Sequence, residues 1–134
     1  MLAEKIKLIA RKKIEDHRGY FLKVINGMEE GLPSHTGEVY VTMAKPGEMK
    51  GGHYHPIAKE WFTLITGKCL VNLTDMLTGE HIQMEIDVSL PQTLFVPNNI
   101  AHSFTNTSTV DDFILLAYSD QLYIPEDTIL YQFR

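Results

Sequence analysis

Four side chains with metal-binding groups are spaced so that a chain folding back on itself can bring them together. His53 and His55 are separated by one residue, and a β-strand places residues i and i+2 on the same face. Glu60 begins the next apolar run, and His102 is expected to complete the set from a later strand. Three imidazoles and one carboxylate suit a borderline divalent metal, so the pattern predicts a site for Zn, Mn, Fe or Ni. The alternative is an empty site in which these polar groups hydrogen-bond to one another.

The rest of the chain has the pattern of short β-strands separated by turn signals, without sustained helical periodicity. Strands are expected over residues 5–14, 20–25, 38–44, 61–66, 68–74, 81–87, 93–96 and 113–119. Residues 26–37 are rich in Gly, Pro, Asn and Ser, which predicts a loop, and we expect it to lie near the site. Eight or more short strands at regular spacing predict a single all-β domain, either a double-sheet jelly roll or a barrel.

Composition limits the partners and the compartment. The net charge is −5 and no basic stripe is visible, which argues against nucleic acid as a partner. The N-terminus lacks an uncharged apolar segment and no eighteen-residue apolar run occurs, so we expect no membrane partner and a cytoplasmic location. The single cysteine, Cys69, cannot form an internal disulfide and is expected to be a small buried hydrophobe.

Two stretches resemble the two sequence motifs of the cupin superfamily. The first has a Gly, His-x-His, Glu and Gly at the cupin spacing, here Gly47, His53, His55, Glu60 and Gly67. The second has Pro97, His102 and Asn106 in place, but Asn99 stands where the motif has Gly. Asn tolerates a positive φ better than other residues with a side chain, so the turn should be kept. The resemblance implies a cupin double-stranded β-helix and the ligand set His53, His55, Glu60 and His102.

Two further stretches narrow the resemblance to enzymes of nucleotide-sugar metabolism. Residues 16–21 look like the Asp-x-Arg-Gly-x-Phe signature of the dTDP-sugar 3,5-epimerases. Residues 115–131 resemble the ends of the related 3,4-ketoisomerases and of the metal-binding cupin domain of a capsular-polysaccharide reductase. The resemblance implies an epimerase or ketoisomerase that acts through an enolate on a 4-keto-6-deoxyhexose nucleotide, in cell-surface polysaccharide biosynthesis.

The resemblance also implies roles for single residues. The roles implied for His53, as general base and as metal ligand, conflict with each other. In the 3,5-epimerases the His that matches His53 is the general base, and a Lys beside the enolate falls at or near Glu60. The carboxylate here reverses that charge, and the ketoisomerases usually lack the His that matches His102. A metal could supply the missing positive charge. His53 cannot bind the metal through the nitrogen that would accept a proton, so its role as ligand or base stays open.

Other candidates lie outside the metal-binding set. Arg18 could grip a phosphate or carboxylate through its planar guanidinium, although an Arg in a turn is as often part of a surface ion pair. Lys50 and Asn106 are further candidates for substrate binding. Tyr118 and Tyr123 could donate a proton as phenols, although aromatic residues at strand ends more often serve packing.

Two other functions would use the same residues. A ferrous dioxygenase would need the same ligand set with open coordination positions. A non-catalytic metal-binding or sugar-binding module would use the metal only structurally.

The apolar run over residues 5–14 would leave an exposed strand edge in a monomer, so we expect a homodimer in which these strands dock on the partner.

Overall fold

Two five-stranded antiparallel sheets build the fold, and they face each other across one core. The computed structural model describes residues 1–17, 19–25, 29–35 and 37–133, with the backbone alone described for residues 19–21. The elements in chain order are α1 (Leu2–Lys5), β1 (Lys7–Ala10), β2 (Lys13–Asp16), β3 (Gly19–Leu22), β4 (Glu38–Ala44), β5 (Met49–Tyr54), β6 (Glu60–Thr66), β7 (Lys68–Asp75), β8 (His81–Asp87), β9 (Gln92–Val96), β10 (Ile100–Thr105), β11 (Phe113–Ser119), a 3₁₀ helix (Pro125–Asp127) and β12 (Ile129–Leu130).

The chain crosses repeatedly between the two sheets. The first sheet has the strand order β1-β9-β6-β11-β4, and the second has the order β12-β5-β10-β7-β8. Strands β2 and β3 form a separate hairpin that joins neither sheet among the described residues. This is the double-sheet jelly roll that the strand spacing predicts, so the predicted all-β cupin fold is confirmed. Neither helix in the described ranges has the length and apolarity needed to span a bilayer.

Alternating side chains explain how the two sheets close over the core. On β11, Phe113, Leu115 and Ala117 are fully buried, whereas the residues between them are only partly buried. Phe62 of β6 packs against Phe104 of β10 with ring centroids 4.7 Å apart, which joins the two sheets. Since a strand exposes its two faces alternately, the inward-facing residues of β6 and β10 also decide which polar groups reach the interior.

A second apolar cluster covers the outer face of the first sheet. Trp61 of β6 is buried there between Phe95 and Tyr118, with ring centroids 4.8 and 5.5 Å away. The Thr93 hydroxyl donates to the carbonyl of Val24 at 3.0 Å, which ties the segment after β3 across this face. Leu32 and Pro33 of the predicted loop line a cavity on this face beside Trp61, and not the cavities around His53, so the described part of the loop does not lie near the site as expected.

The strand predictions succeed where alternation is regular and fail at the N-terminus. The strands predicted over 38–44, 81–87 and 113–119 are confirmed at their bounds. The single strand predicted over residues 5–14 is wrong, because α1 occupies its first residue and β1 and β2 belong to different sheets. The break falls near Arg11, whose N–H donates to the Pro91 carbonyl at 2.9 Å and whose Nε donates to the Thr93 hydroxyl at 3.0 Å.

Candidate metal centre

His53, His55, Glu60 and His102 converge in the interior, between the two sheets. His53 lies on β5, Glu60 opens β6, and His102 lies on β10, while His55 directly follows β5. One ligand atom from each residue lies within 4.8 Å of those of the others. The ring of His53 is 4.8 Å from that of His55 and 4.9 Å from that of His102, measured between centroids. The structure thus brings together the four residues that the sequence pattern selects.

A β-bulge at two glycines aims His53 into this cluster. In the pairing of β5 with β10, His53 lies opposite His102, but the next paired residues are Gly51 and Ser103, so Gly52 is the extra residue. Gly51 and Gly52 have φ values of +86° and +79°, which favour glycine. A bulge bends its strand and redirects side chains, and such bulges are common beside functional sites. The paired glycines of the first motif thereby position its first histidine.

Backbone carbonyls fix the tautomers of two of the histidines. Nδ1 of His55 lies 2.9 Å from the Asp127 carbonyl oxygen, and Nδ1 of His102 lies 3.0 Å from the Ile100 carbonyl oxygen. Because a carbonyl oxygen can only accept, each Nδ1 must carry the proton and donate it. Each neutral ring then presents the lone pair of Nε2 to the interior. Metal-binding histidines are commonly oriented by this kind of contact.

Three buried atoms in the cluster lack the hydrogen bonds that burial normally requires. They are Nε2 of His55, Nε2 of His102 and Oε1 of Glu60. Oε1 of Glu60 lies 2.8 Å from Nε2 of His55 and 3.4 Å from Nε2 of His102, within ion-pair distance but not in hydrogen-bond geometry. Leaving buried polar atoms unpaired costs free energy, and a cation bound between them would satisfy all three. The donor set therefore fits a divalent ion.

The electrostatics of the cluster favour a neutral His53 and an ionised Glu60. Burial, followed by the charges of His102 and His55, lowers the pKa of His53 to about 4, so this ring is neutral at neutral pH. Burial would raise the pKa of Glu60, but the nearby imidazoles of His102 and His55 hold it well below its ordinary value. Burial likewise opposes protonation of His55, yet the Glu60 carboxylate raises the pKa of His55. Glu60 therefore supplies a negative charge throughout the physiological range.

Tyr40 contacts the cluster, although the sequence analysis did not single it out. Its hydroxyl donates to Oε2 of Glu60 at 2.5 Å. Burial, together with the Glu60 carboxylate, raises the pKa of Tyr40, so the phenol stays a donor at neutral pH. The predicted strand over residues 38–44 alternates in polarity too weakly to show which residues face the interior. The prediction of β4 alone could not have identified Tyr40.

Asp127 is a second residue of the site that the sequence analysis missed. Its buried carboxylate accepts hydrogen bonds from the backbone N–H groups of Ile57 at 2.7 Å and Ala58 at 3.0 Å. The carboxylate of Asp120 accepts from the N–H of Lys59 at 2.9 Å. Two acidic residues near the C-terminus thus hold the loop between His55 and β6. No local sequence signal links them to that loop, since they lie about 60 to 70 positions away.

Two cavities meet at the cluster, and His53 and Tyr40 line both. The first has a volume of about 330 Å³ and is lined by residues that include Ala58, Leu122, Tyr123 and Ile124, as well as His55 and Glu60. The second has a volume of about 290 Å³ and is lined by residues that include Lys50, Phe62, His102 and Phe104. The cluster is therefore reachable by a small molecule from two sides.

The structure places the other predicted site residues differently. Tyr123 lies at the first cavity with its side chain 68% exposed, and Lys50 lies at the second. Tyr118 faces away from the cluster, because its buried neighbours on β11 face the interior; its ring lines a separate cavity of about 430 Å³ on the outer face of the first sheet. Its position does not support a role as an acid at the cluster.

Asn106 is also separated from the cavities around the cluster. It is buried, and its amide nitrogen donates to the carbonyls of Ala44 at 3.0 Å and Asp111 at 2.8 Å. Its amide oxygen accepts from the N–H of Ser108 at 2.9 Å. These contacts stabilise the loop after β10 and leave the side chain committed to the backbone. Arg18, the other residue predicted to bind substrate, lies outside the described residues.

Asn99 adopts the conformation expected from its place in the second motif. Its φ is 63°, and it is the one residue other than glycine with a positive φ among the described residues. Its N–H donates to the His55 carbonyl at 2.8 Å, and its own carbonyl accepts from the N–H of Met76 at 2.9 Å. The prediction that Asn can keep this turn in place of Gly is confirmed.

Comparison with known proteins relates the chain to polysaccharide biosynthesis. Residues 14–131 match the family model described as polysaccharide biosynthesis C-terminal domain. The chain is 24% identical over 116 residues to UDP-2-acetamido-2,6-beta-L-arabino-hexul-4-ose reductase of Pseudomonas aeruginosa (strain PA103). That match covers 87% of this chain but 29% of the reductase, so the chain spans less than a third of this relative.

Solved structures show the same fold at low sequence identity. A dTDP sugar isomerase from Desulfovibrio desulfuricans G20 superimposes with a TM-score of 0.85 at 17% identity, over 96% of this chain and 85% of that chain. A dTDP-6-deoxy-D-glucose-3,5-epimerase from Legionella pneumophila Philadelphia 1, solved in complex with dTDP-4-keto-L-rhamnose, gives a TM-score of 0.82 at 17% identity, over 94% and 72% of the two chains. These likenesses extend over nearly the whole chain and establish its fold.

Proposed function

Because the chain belongs to the polysaccharide biosynthesis C-terminal domain family, we propose that it is a nucleotide-sugar epimerase or ketoisomerase. The observation that carries the proposal is the buried cluster of three histidines and one glutamate at the meeting point of two cavities. The first cavity, at about 330 Å³, is at the small end of the range for ligand sites, which suits a sugar ring more than a whole nucleotide sugar. The substrate would be a 4-keto-6-deoxyhexose nucleotide.

The names of similar proteins support this substrate class. One is a reductase of a UDP-linked hexulose, one is a dTDP sugar isomerase, and one is an epimerase solved with a dTDP-linked 4-keto sugar. A ketone acidifies the hydrogen on the neighbouring carbon, so removal of that proton gives an enolate. Return of the proton to the other face of the same carbon inverts it. Where that carbon carries a hydroxyl group, transfer of the hydroxyl proton to the enolate oxygen and return of the abstracted proton to the former carbonyl carbon move the ketone. One site could therefore serve either reaction.

The residues of the cluster would have two roles in this reaction, metal binding and proton transfer. His55, Glu60 and His102, with or without His53, would hold a divalent ion such as Zn, Mn, Fe or Ni through their inward-facing nitrogen and oxygen atoms. When bound, the ion would supply a Lewis acid that stabilises the negative oxygen of the enolate. His53 is neutral at neutral pH and can accept a proton if it does not ligate the ion.

Residues at the cavities would bind and protonate the substrate. Lys50 offers a positive charge at the second cavity, which suits the diphosphate of a nucleotide sugar. Tyr123 offers a phenol at the first cavity that can donate a proton to the enolate. Leu122 and Ile124 line the same cavity and provide an apolar surface for the methyl group of a 6-deoxy sugar.

Deuterium exchange tests the proposed reaction. Incubation of the metal-loaded protein with dTDP-4-keto-6-deoxyglucose in deuterated water should place deuterium on the carbon beside the ketone, because any route through an enolate exchanges that proton. Glu60→Gln should slow exchange at least tenfold through loss of the carboxylate charge at the cluster. The matched change Glu85→Gln, on the exposed side of β8, should leave the rate unchanged. Mass spectrometry and proton NMR measure the incorporated label.

The opposite result would remove this function. If no exchange exceeded the uncatalysed rate with several 4-keto sugar nucleotides, both dTDP-linked and UDP-linked, the epimerase and ketoisomerase proposal would fail. The ligand set also suits a ferrous dioxygenase, and oxygen uptake by the iron-loaded protein with small diketones or thiols would then identify that chemistry. A protein inactive in both assays would be a metal-binding or sugar-binding module.

The exposed edge of β4 supports a homodimer. β4 is the last strand of the first sheet, and Val39, Val41 and Met43 on it are 64%, 63% and 44% exposed. An exposed apolar edge strand is prone to pair with another chain. The partner strands could come from the N-terminal hairpin, where Ile14 is also exposed.

Light scattering should therefore give about twice the chain mass of 15.3 kDa at micromolar concentration. Val41→Lys should shift the protein to a monomer, because a charge on an edge strand opposes pairing. Leu77→Lys, in the exposed turn after β7, introduces the same charge elsewhere and should leave the dimer intact. A wild-type protein that is monomeric at these concentrations would contradict the proposed assembly.

A further inference from the structure

The two carboxylate oxygens of Glu60 have different partners. Oε1 faces Nε2 of His55 and of His102, at 2.8 and 3.4 Å, without a hydrogen bond. Oε2 accepts a hydrogen bond from the Tyr40 hydroxyl at 2.5 Å. The Glu60 side chain is buried, with 4% of it exposed. Rotation of the carboxylate would break the bond to Tyr40, which holds one oxygen towards the histidines.

Small residues on the strand between them allow Tyr40 to reach Glu60. β11 separates β4 from β6, so the two residues are two strand spacings apart, roughly 10 Å across the sheet. Ala117 lies opposite Tyr40, and Ser119 lies opposite Glu60, on the face of β11 that points inward. A large side chain at either position would block the path. The pair of small residues leaves the space that the tyrosine ring crosses.

We infer that Tyr40 is a positioning residue for the candidate metal centre: its hydroxyl holds Oε2 of Glu60 so that only Oε1 is offered to an ion. A carboxylate that binds through one oxygen uses one coordination position, whereas one that binds through both uses two. The hydrogen bond thereby keeps a position free for a substrate oxygen. The inference rests on the metal site of the proposed function but not on the reaction.

Tyr40→Phe tests this role by removing the hydroxyl and little else. The affinity for Zn²⁺ should fall by roughly 10-fold to 100-fold, the usual effect of losing a group that orients a ligand. Competition with a coloured chelator measures that affinity. In the protein loaded with Co²⁺, the visible absorption should weaken in Tyr40→Phe as the released carboxylate raises the coordination number. Circular dichroism and the melting temperature of the metal-free variant report on folding.

Tyr131→Phe is the matched control, because it removes a phenol hydroxyl from a tyrosine whose ring packs on Phe133 at 4.8 Å, outside both cavities at the cluster. Its Zn²⁺ affinity and Co²⁺ spectrum should equal those of the wild type. If Tyr40→Phe lowered the melting temperature of the metal-free protein while leaving affinity and spectrum unchanged, Tyr40 would be a packing residue and the inference would be overturned. Failure of wild type to bind Zn²⁺ would also overturn it.

These measurements separate the inference from the reaction. A wild-type protein that binds Zn²⁺, loses affinity on Tyr40→Phe and shows no deuterium exchange would support the role of Tyr40 and remove the epimerase proposal. A protein that exchanges deuterium equally well with and without the hydroxyl, at equal metal affinity, would support the reaction and overturn the role of Tyr40.

Discussion

Purified wild-type protein should contain about one divalent ion per chain, and His102→Ala should contain almost none. His102 is buried, its Nδ1 proton is donated to the Ile100 carbonyl, and its Nε2 has no hydrogen-bond partner. The substitution removes one of the four converging side chains. Oε1 of Glu60 also loses the imidazole nitrogen that lies 3.4 Å away. Because the loss removes a ligand itself, its effect should exceed the roughly 100-fold expected for a group that only orients one.

Chelation should change the melting temperature of wild type but not that of His102→Ala. A metal that binds only the folded state stabilises it by about 2.7 kcal/mol at a hundred times its dissociation constant, which for a domain of this size corresponds to a shift of about 10 °C. Chelation should lower the melting temperature of wild type by that amount and leave His102→Ala unchanged. His81→Ala is the control, since His81 is exposed at the start of β8 and contacts Thr74 instead of the cluster. Substoichiometric metal in wild type grown with added Zn, Mn, Fe and Ni would rule out the metal site.

Gly51→Ala should both destabilise the fold and abolish metal binding. Gly51 has a φ of +86°, and an added Cβ would lie 2.8 Å from the His102 carbonyl oxygen. The left-handed conformation costs about 1 to 2 kcal/mol for an alanine, and forcing the strands apart costs about as much again. We expect a loss of about 2 to 4 kcal/mol in the free energy of unfolding. The displaced backbone belongs to His102, so a ligand moves with it.

Gly79→Ala separates the two causes of this loss. Gly79 has a φ of +78°, but an added Cβ would meet nothing within 4 Å. This variant should therefore lose only about 1 to 2 kcal/mol and keep its metal. Urea unfolding and elemental analysis of both variants measure the effects. Equal losses of stability in the two variants, with metal retained in both, would show that the bulge does not need glycine for close approach.

The clustering of His53, His55, Glu60 and His102 was predictable because these residues lie in short motifs. The spacing of His53 and His55 fixes their common side of the chain, and the positive φ at Asn99 follows from its place in the second motif. The regular alternation on β11 likewise gives that strand its correct bounds. Strands were expected at His53 and at His102, but the bounds of β5 and β10 were not predicted, because their Gly, Lys, His and Ser residues do not give an apolar alternation.

The residues that support the ligands were not predictable, because nothing local marks them. Tyr40 is two strands away from Glu60, and Asp127 is about 70 positions from the N–H groups that it binds. Tyr118 was selected as a possible proton donor, but it lies on the face of β11 that points away from the cluster. Strand faces become known only when the register of both neighbours is known, and that information comes from the whole sheet.

The C-terminal segment contacts both His55 and the loop that follows it, so movement of this segment should open the site. Asp127 supplies the carbonyl that orients His55 and the carboxylate that binds Ile57 and Ala58, yet the strand that follows it has only two residues. We expect so short a strand to open more often than the two sheets unfold. An ion bound at the candidate metal centre would then exchange through local opening of this segment while the two sheets stay intact. Exchange of the Ile57 and Ala58 amide hydrogens with solvent times that opening, because both are released when Asp127 moves away.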